Sequence, residues 1–260
     1  MPIHGPSTTA LLLVFDPLYL LAFHFLLFIA GPRITIMSAQ QFWDAAKSLI
    51  EVTEKHPFLV AMVDGTLNLD SFQYYVVQDA LYLDDFGDCL HRLGDHEGLS
   101  AEESKRLHEF AVGAEEAEKA LHKSFFTQWK IQAQGVTQMP NTLLYTSFLH
   151  KIVATRPHAE GLAALLPCFW VYMHVGKCML KLRDELGDTV ERPPQFDAWI
   201  DMYGGPEFEK EVTDYIALVD AHAKEASPEV LANMQQHFLT CCKLEHMFWD
   251  QASDCMQWPV

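Results

Sequence analysis

From Met37 onward the chain places its apolar residues three and four positions apart, and nowhere does it alternate with a period of two. That single regularity leaves room for helices and excludes a sheet. Ser38 and Gln41 form an S-x-x-Q capping box at the head of the first amphipathic segment. Asp70-Ser-Phe-Gln73 reads as a second such box, opening a helix that ends near Gly94, and Ser100 to Glu103 as a third, opening a long helix that Gly135 closes. A helix is expected over 141–154, and Arg156-Pro157 marks the next boundary. The segment 158–186 reads as helical, with Pro167 expected to kink it or to set its true start. Pro193-Pro194 and Gly204-Gly205-Pro206 bracket a short helix, one over 206–225 follows, and Ser227-Pro228 starts the last. The expected fold is an all-α, single-domain helical bundle spanning 37–260.

Residues 1–36 stand apart. Positions 10–30 are almost continuously apolar and about long enough to span a bilayer. Asp16, Pro17 and His24 interrupt the run, and no Lys or Arg precedes it. The segment reads as an apolar extension, either a start-site artefact or a targeting or anchoring element. Membrane contact is expected only if it is a real anchor.

The 35 acidic and 18 basic residues give a formal charge of −17, and no basic cluster occurs. Such a chain is not expected to bind nucleic acid, because the phosphate backbone is gripped by clustered Lys and Arg. The six cysteines show neither C-x-x-C pairs nor zinc spacing. Reduced thiols in the cytoplasm are the expectation.

Within 72–90, Tyr75, Asp79, Tyr82 and Phe86 share one helical face beside Val76, Leu83 and Leu90. A carboxylate on such a face needs a partner or a ligand. Cys168 follows Pro167 among aromatic residues, one turn before Tyr172. A nearby helix start would favour its thiolate, whereas Cys89 and Cys178 read as inert core thiols. Glu245, between Leu244 and Phe248-Trp249, is either a solvated carboxylate or an inward acid–base group with a raised pKa. Tyr203 before Gly204-Gly205 is expected on a tight turn, and Tyr145 on the helix after Pro140. The histidines are scattered, so no metal site is expected.

Several segments occur in a specific order: HPF at 56–58, DGTL at 64–67, YYVVQD at 74–79, ALLPCFWVY at 164–172, WIDMYGG at 199–205, and Glu245 with Phe248-Trp249. This combination resembles the TenA family, the thiaminase II or aminopyrimidine aminohydrolase group, over about residues 40–250. The resemblance implies a haem oxygenase-like fold without haem, a homotetramer, and no cofactor. It implies metal-free hydrolysis of 4-amino-5-aminomethyl-2-methylpyrimidine to the hydroxymethyl compound and ammonia, within thiamin salvage, with thiamin cleavage as a second activity. It makes Cys168 the nucleophile, Glu245 the catalytic carboxylate and Asp79 the pyrimidine-binding acid. Tyr82, Tyr145, Tyr172 and Tyr203 would line the pocket, with Phe86 beside them. Leu81, where relatives often carry an aromatic residue, and Asp84-Asp85 depart from the family pattern. The competing readings are a haem- or metal-dependent oxidase on the same scaffold, for which no ligand set is visible, and a non-catalytic pyrimidine-binding protein.

Overall fold

The computed structural model describes residues 38–129 and 135–259. The extension over 1–36 therefore lies outside the described residues. The order is α1 (Ala39–Thr53), α2 (Pro57–Val63), α3 (Leu69–Gly94), α4 (Ala101–Trp129), α5 (Pro140–Thr155) and α6 (His158–Leu186). A 3₁₀ turn (Gly187–Thr189), α7 (Pro194–Gly204), α8 (Pro206–Glu225) and α9 (Pro228–Ser253) follow. Among the described residues there is no strand.

Most helix starts obey local capping rules. The Ser38 amide donates to the Gln41 side chain at 3.1 Å. Glu103 donates its amide to Ser100 Oγ while its carboxylate accepts from the Ser100 amide, both at 3.2 Å. Ser227 accepts from the Val230 amide. The box expected at Asp70–Gln73 is not used. Asn68 caps α3 instead, accepting from the Asp70 amide at 2.9 Å. Asn is a strong N-cap, and taking it adds residues to the helix. Gly135 adopts φ +88°, while residues 130–134, through which α4 was expected to reach it, lie outside the described residues.

Helix α6 runs through Pro167 from His158 without interruption. Cys168 therefore lies in the helix interior, not near a helix start. Among the described residues α6 is the one helix long and apolar enough to cross a membrane, and 72% of that stretch is buried inside the fold. It is the core helix, packed most extensively on α9 and α7, while α3 packs most extensively on α4.

Two contacts fix the registers that matter later. The first amides of α5 have no helical acceptors. Gln251 on α9 supplies one, its Oε1 accepting from the Asn141 amide at 2.7 Å while its Nε2 donates to Thr142 Oγ1 at 2.7 Å. Asn141 Nδ2 in turn donates to the Met247 carbonyl at 2.8 Å. At the other end, α6 approaches α7 backbone to backbone at Gly176. A Cβ there would stand 2.4 Å from the Tyr203 carbonyl carbon and 2.5 Å from the Gly204 nitrogen.

Gly176→Ala should therefore force α7 away from α6 and cost about 1–3 kcal/mol, the range for overpacking a close contact. Urea denaturation of the variant beside the unsubstituted chain measures it, and equal stability would refute the contact.

Candidate active site

The stripe on α3 behaves as its spacing suggests. Tyr75, Asp79, Tyr82 and Phe86 are all buried, and Asp79 is only 3% exposed. A small, largely apolar cavity opens between α3, α4, α6 and the α7–α8 corner. Asp79, Leu83 and Phe86 face it from α3, and Cys168, Phe169 and Tyr172 from α6. Tyr203 and Met202 come from the end of α7, Phe208 and Glu211 from α8, and Gly113 and Ala114 from α4. Five expected residues thus share one cavity: Asp79, Phe86, Cys168, Tyr172 and Tyr203.

The other three stand behind its wall as a connected group. The Tyr145 hydroxyl donates to Glu245 Oε1 at 2.7 Å. The ring of Tyr145 lies 4.8 Å from that of Tyr82, which stacks at 5.7 Å on Phe86. The Tyr82 hydroxyl is buried, with the Tyr145 hydroxyl as its polar neighbour.

Glu245 is 1% exposed, so its side chain points inward and is not solvated. Burial pushes its carboxyl up to about 8, opposed by the Tyr145 hydrogen bond and reinforced by the charge of Asp79. Burial likewise raises the phenols of Tyr82, Tyr145 and Tyr172 well above 10. They stay neutral hydrogen-bonding groups.

The aromatic wall is braced from behind. Tyr172 lies 5.0 Å from Tyr203 and 5.2 Å from Trp249, and Trp199 lies 4.5 Å from Tyr203. Trp199 Nε1 donates to the Tyr75 hydroxyl at 3.2 Å. Tyr203 sits in the last turn of α7, not on the tight turn expected; Gly204 still ends the helix beside it.

All six cysteines are free thiols. Cys168 is half-buried on the cavity surface. Cys89 is buried, as expected, whereas Cys178 is a half-exposed thiol 3.7 Å from Glu54 Oε2 and 3.6 Å from His174 Nε2. Glu54, His174 and Cys178 form one group of convergent ligand atoms, and His56, His246 and Asp250 another. Neither borders the cavity. The His56 Nδ1 accepts from the Phe58 amide, so in the neutral ring Nε2 carries the proton towards Asp250 and has no lone pair for a metal.

Asp85 faces away from the site, bound to His150 Nε2 at 2.7 Å and to Gln138 Nε2 at 2.5 Å. Leu81 and exposed Asp84 are likewise not on the cavity surface. The departures from the family pattern therefore lie off the site. Sequence reasoning missed Glu211, Met202, Phe208 and Gly113. Phe208 and Glu211 are a turn apart directly after the YGGP corner, a signal hidden by the exposed acids beside them.

A helical bundle with a buried carboxylate behind an aromatic cavity and a cysteine on its surface is a site carried by the haem oxygenase-like fold. A Shewanella denitrificans domain described by that fold superposes with a TM-score of 0.64 over 84% of this chain and 93% of its own, at 14% identity. A TenA homologue from P. horikoshii OT3 superposes at 0.73 over 83% and 98%, at 23% identity. Residues 40–255 match the TENA/THI-4/PQQC family, and the chain belongs to it. An aminopyrimidine aminohydrolase from Bacillus subtilis is 34% identical over 200 residues, 76% of this chain and 81% of its own length. One from Halalkalibacterium halodurans is 30% identical over 85% of this chain and 97% of its own.

The raised Glu245 carboxyl carries a stability consequence. Its folded pKa, about 8, lies above the ordinary 4.5, so between these values the folded state binds more protons and stability falls as pH rises. Glu245→Gln should remove that dependence. Its stability advantage over the unsubstituted chain should grow by about 2 kcal/mol between pH 6 and pH 8, read from urea midpoints; a gap that does not change with pH would refute the raised pKa.

Proposed function

We propose that this chain hydrolyses 4-amino-5-aminomethyl-2-methylpyrimidine to the hydroxymethyl pyrimidine and ammonia, an aminopyrimidine aminohydrolase of thiamin salvage, and that it also hydrolyses thiamin. The family membership and the two aminohydrolase relatives support this reading. The observation that carries it is the joint placement of Asp79, Cys168, Tyr172 and Tyr203 on one cavity with the Tyr145–Glu245 pair behind it.

In this proposal the aminopyrimidine is protonated at a ring nitrogen, which draws electrons out of the ring, and Asp79 accepts paired hydrogen bonds from that N–H and the adjacent amino group. Tyr172, Tyr203 and Phe86 hold the flat ring between them. The Cys168 thiolate adds to a ring carbon, and the electron-rich adduct expels the amine from the exocyclic methylene. The amine leaves as ammonia from its ammonium form, and Glu245, protonated at neutral pH by virtue of its raised pKa, gives that ammonia a proton. The resulting carboxylate takes a proton from water as that water adds to the methylene. Loss of the thiolate then restores the aromatic ring. Each residue ends as it began, and no redox step or metal is called for.

A homotetramer and a cytoplasmic setting belong to the same proposal, supported by family resemblance and by the free thiols. A buried acid with a raised pKa behind a cavity that carries a cysteine favours turnover over simple pyrimidine binding, since holding a ring needs neither group.

Ammonia release by the purified protein, with thiamin cleavage followed in parallel, tests the activity. Cys168→Ser should lower turnover by roughly a thousand-fold or more and leave affinity for the hydroxymethyl pyrimidine within a few-fold. Turnover retained in that variant would overturn the nucleophile.

A further inference from the structure

Glu211 is the one cavity residue whose charge the chemistry above leaves unused. It lies on α8 in a run, Glu207, Glu209, Lys210 and Glu211, that reads as a solvated acidic face. Its neighbours behave that way. Glu209 is exposed and paired with Lys177, and Lys210 with Asp214 at 2.7 Å. Glu211 instead turns inward, half-buried on the cavity surface beside Phe208. Gly113 on α4 makes the room: a Cβ at that position would lie 3.0 Å from Glu211 Oε1. Among the described residues Lys177 and Lys210 are engaged with Glu209 and Asp214, and none donates a hydrogen bond or an ion pair to the Glu211 carboxylate. Burial alone raises its pKa. A desolvated carboxylate is costly without a positive neighbour, and a cationic ligand in the cavity would supply one.

We propose that Glu211 is a specificity-determining residue, which recognises the positive charge carried by the substituent at the pyrimidine 5-position and so favours a cationic substrate over the neutral alcohol. This rests on the aminohydrolase reading. An alkylammonium, like that of lysine, is charged at neutral pH, and a thiazolium is permanently charged. The hydroxymethyl product has the same ring and no charge. Asp79 holds substrate and product alike through the ring, whereas Glu211 distinguishes them. Hydrolysis removes the group it attracts, which favours release of the alcohol.

The test compares two ligands by calorimetry, in the full chain carrying Cys168→Ser to prevent turnover: the aminomethyl pyrimidine and the hydroxymethyl pyrimidine. Adding Glu211→Gln should weaken the aminomethyl compound about ten-fold, the loss expected for one charge-assisted contact. The hydroxymethyl compound should bind within two-fold of its former affinity, which also shows that the variant is folded. Equal losses for both ligands, or no loss for either, would overturn the role of Glu211 alone. Binding of neither ligand before Glu211 is changed would overturn the aminohydrolase reading and this proposal with it.

Discussion

One hydrogen bond organises this molecule: the Tyr145 hydroxyl on the buried Glu245 carboxyl. A carboxyl that is 1% exposed cannot persist as an unpaired anion in an apolar interior, so it is either protonated or held by donors. Tyr145 supplies a single donor, and the position of that donor depends on how α5 sits against α9. Gln251 settles the matter by serving as the acceptor that the α5 amides lack. Asn141 and Tyr145 are one turn apart on α5, and Glu245 and Gln251 share α9. The Gln251 clamp and the Tyr145–Glu245 bond therefore hold the same pair of helices in the same register. The pairing of a helix cap with a buried acid makes the site a property of the packing rather than of a loop.

The aromatic residues answer a second requirement. A flat ligand needs walls that do not collapse when it leaves, and side chains locked by their neighbours supply them. Tyr172 is fixed between Tyr203 and Trp249, and Tyr203 is fixed by Trp199 and by the close approach of α7 to Gly176. Stability is sacrificed at the centre, where a desolvated acid sits, and recovered around it by aromatic burial. This is the trade expected where a site is built in advance of its ligand.

The helical class and most boundaries were legible because they are local. Capping chemistry and a 3.6-residue period act within a few residues, and they locate the starts at Ser38, Ser100 and Ser227 correctly. The shift from Asp70 to Asn68 was not legible, since both positions offer a capping residue and only the packed helix selects one. The α3 stripe was legible for the same local reason. Glu245 was not: with Lys243 two residues away it reads equally well as solvated, and only the arrival of α5 decides. Glu211 was hidden more thoroughly. Its run of acids matches an exposed face, and the space it enters is created by Gly113, on a helix almost a hundred residues earlier. Residues whose role depends on a vacancy in another helix leave no mark in their own neighbourhood.

Charge ties the site to the whole chain. The body from Met37 carries the full −17, and a net negative field attracts cations and repels anions over distances of about a Debye length, ~8–10 Å at physiological salt. Among the acids, Asp79 and Glu211 face the cavity and Glu245 stands behind it. Inside low-dielectric aromatic walls the same charges act more strongly than at the surface. If all three were ionised in an empty cavity, their mutual repulsion would add to the cost of burying each. Glu245 relieves it by holding its proton to about pH 8. A cationic ligand relieves it further. The proton that makes the site tolerable is the same one the proposed chemistry has to deliver, so the burial that raises the pKa also readies the acid.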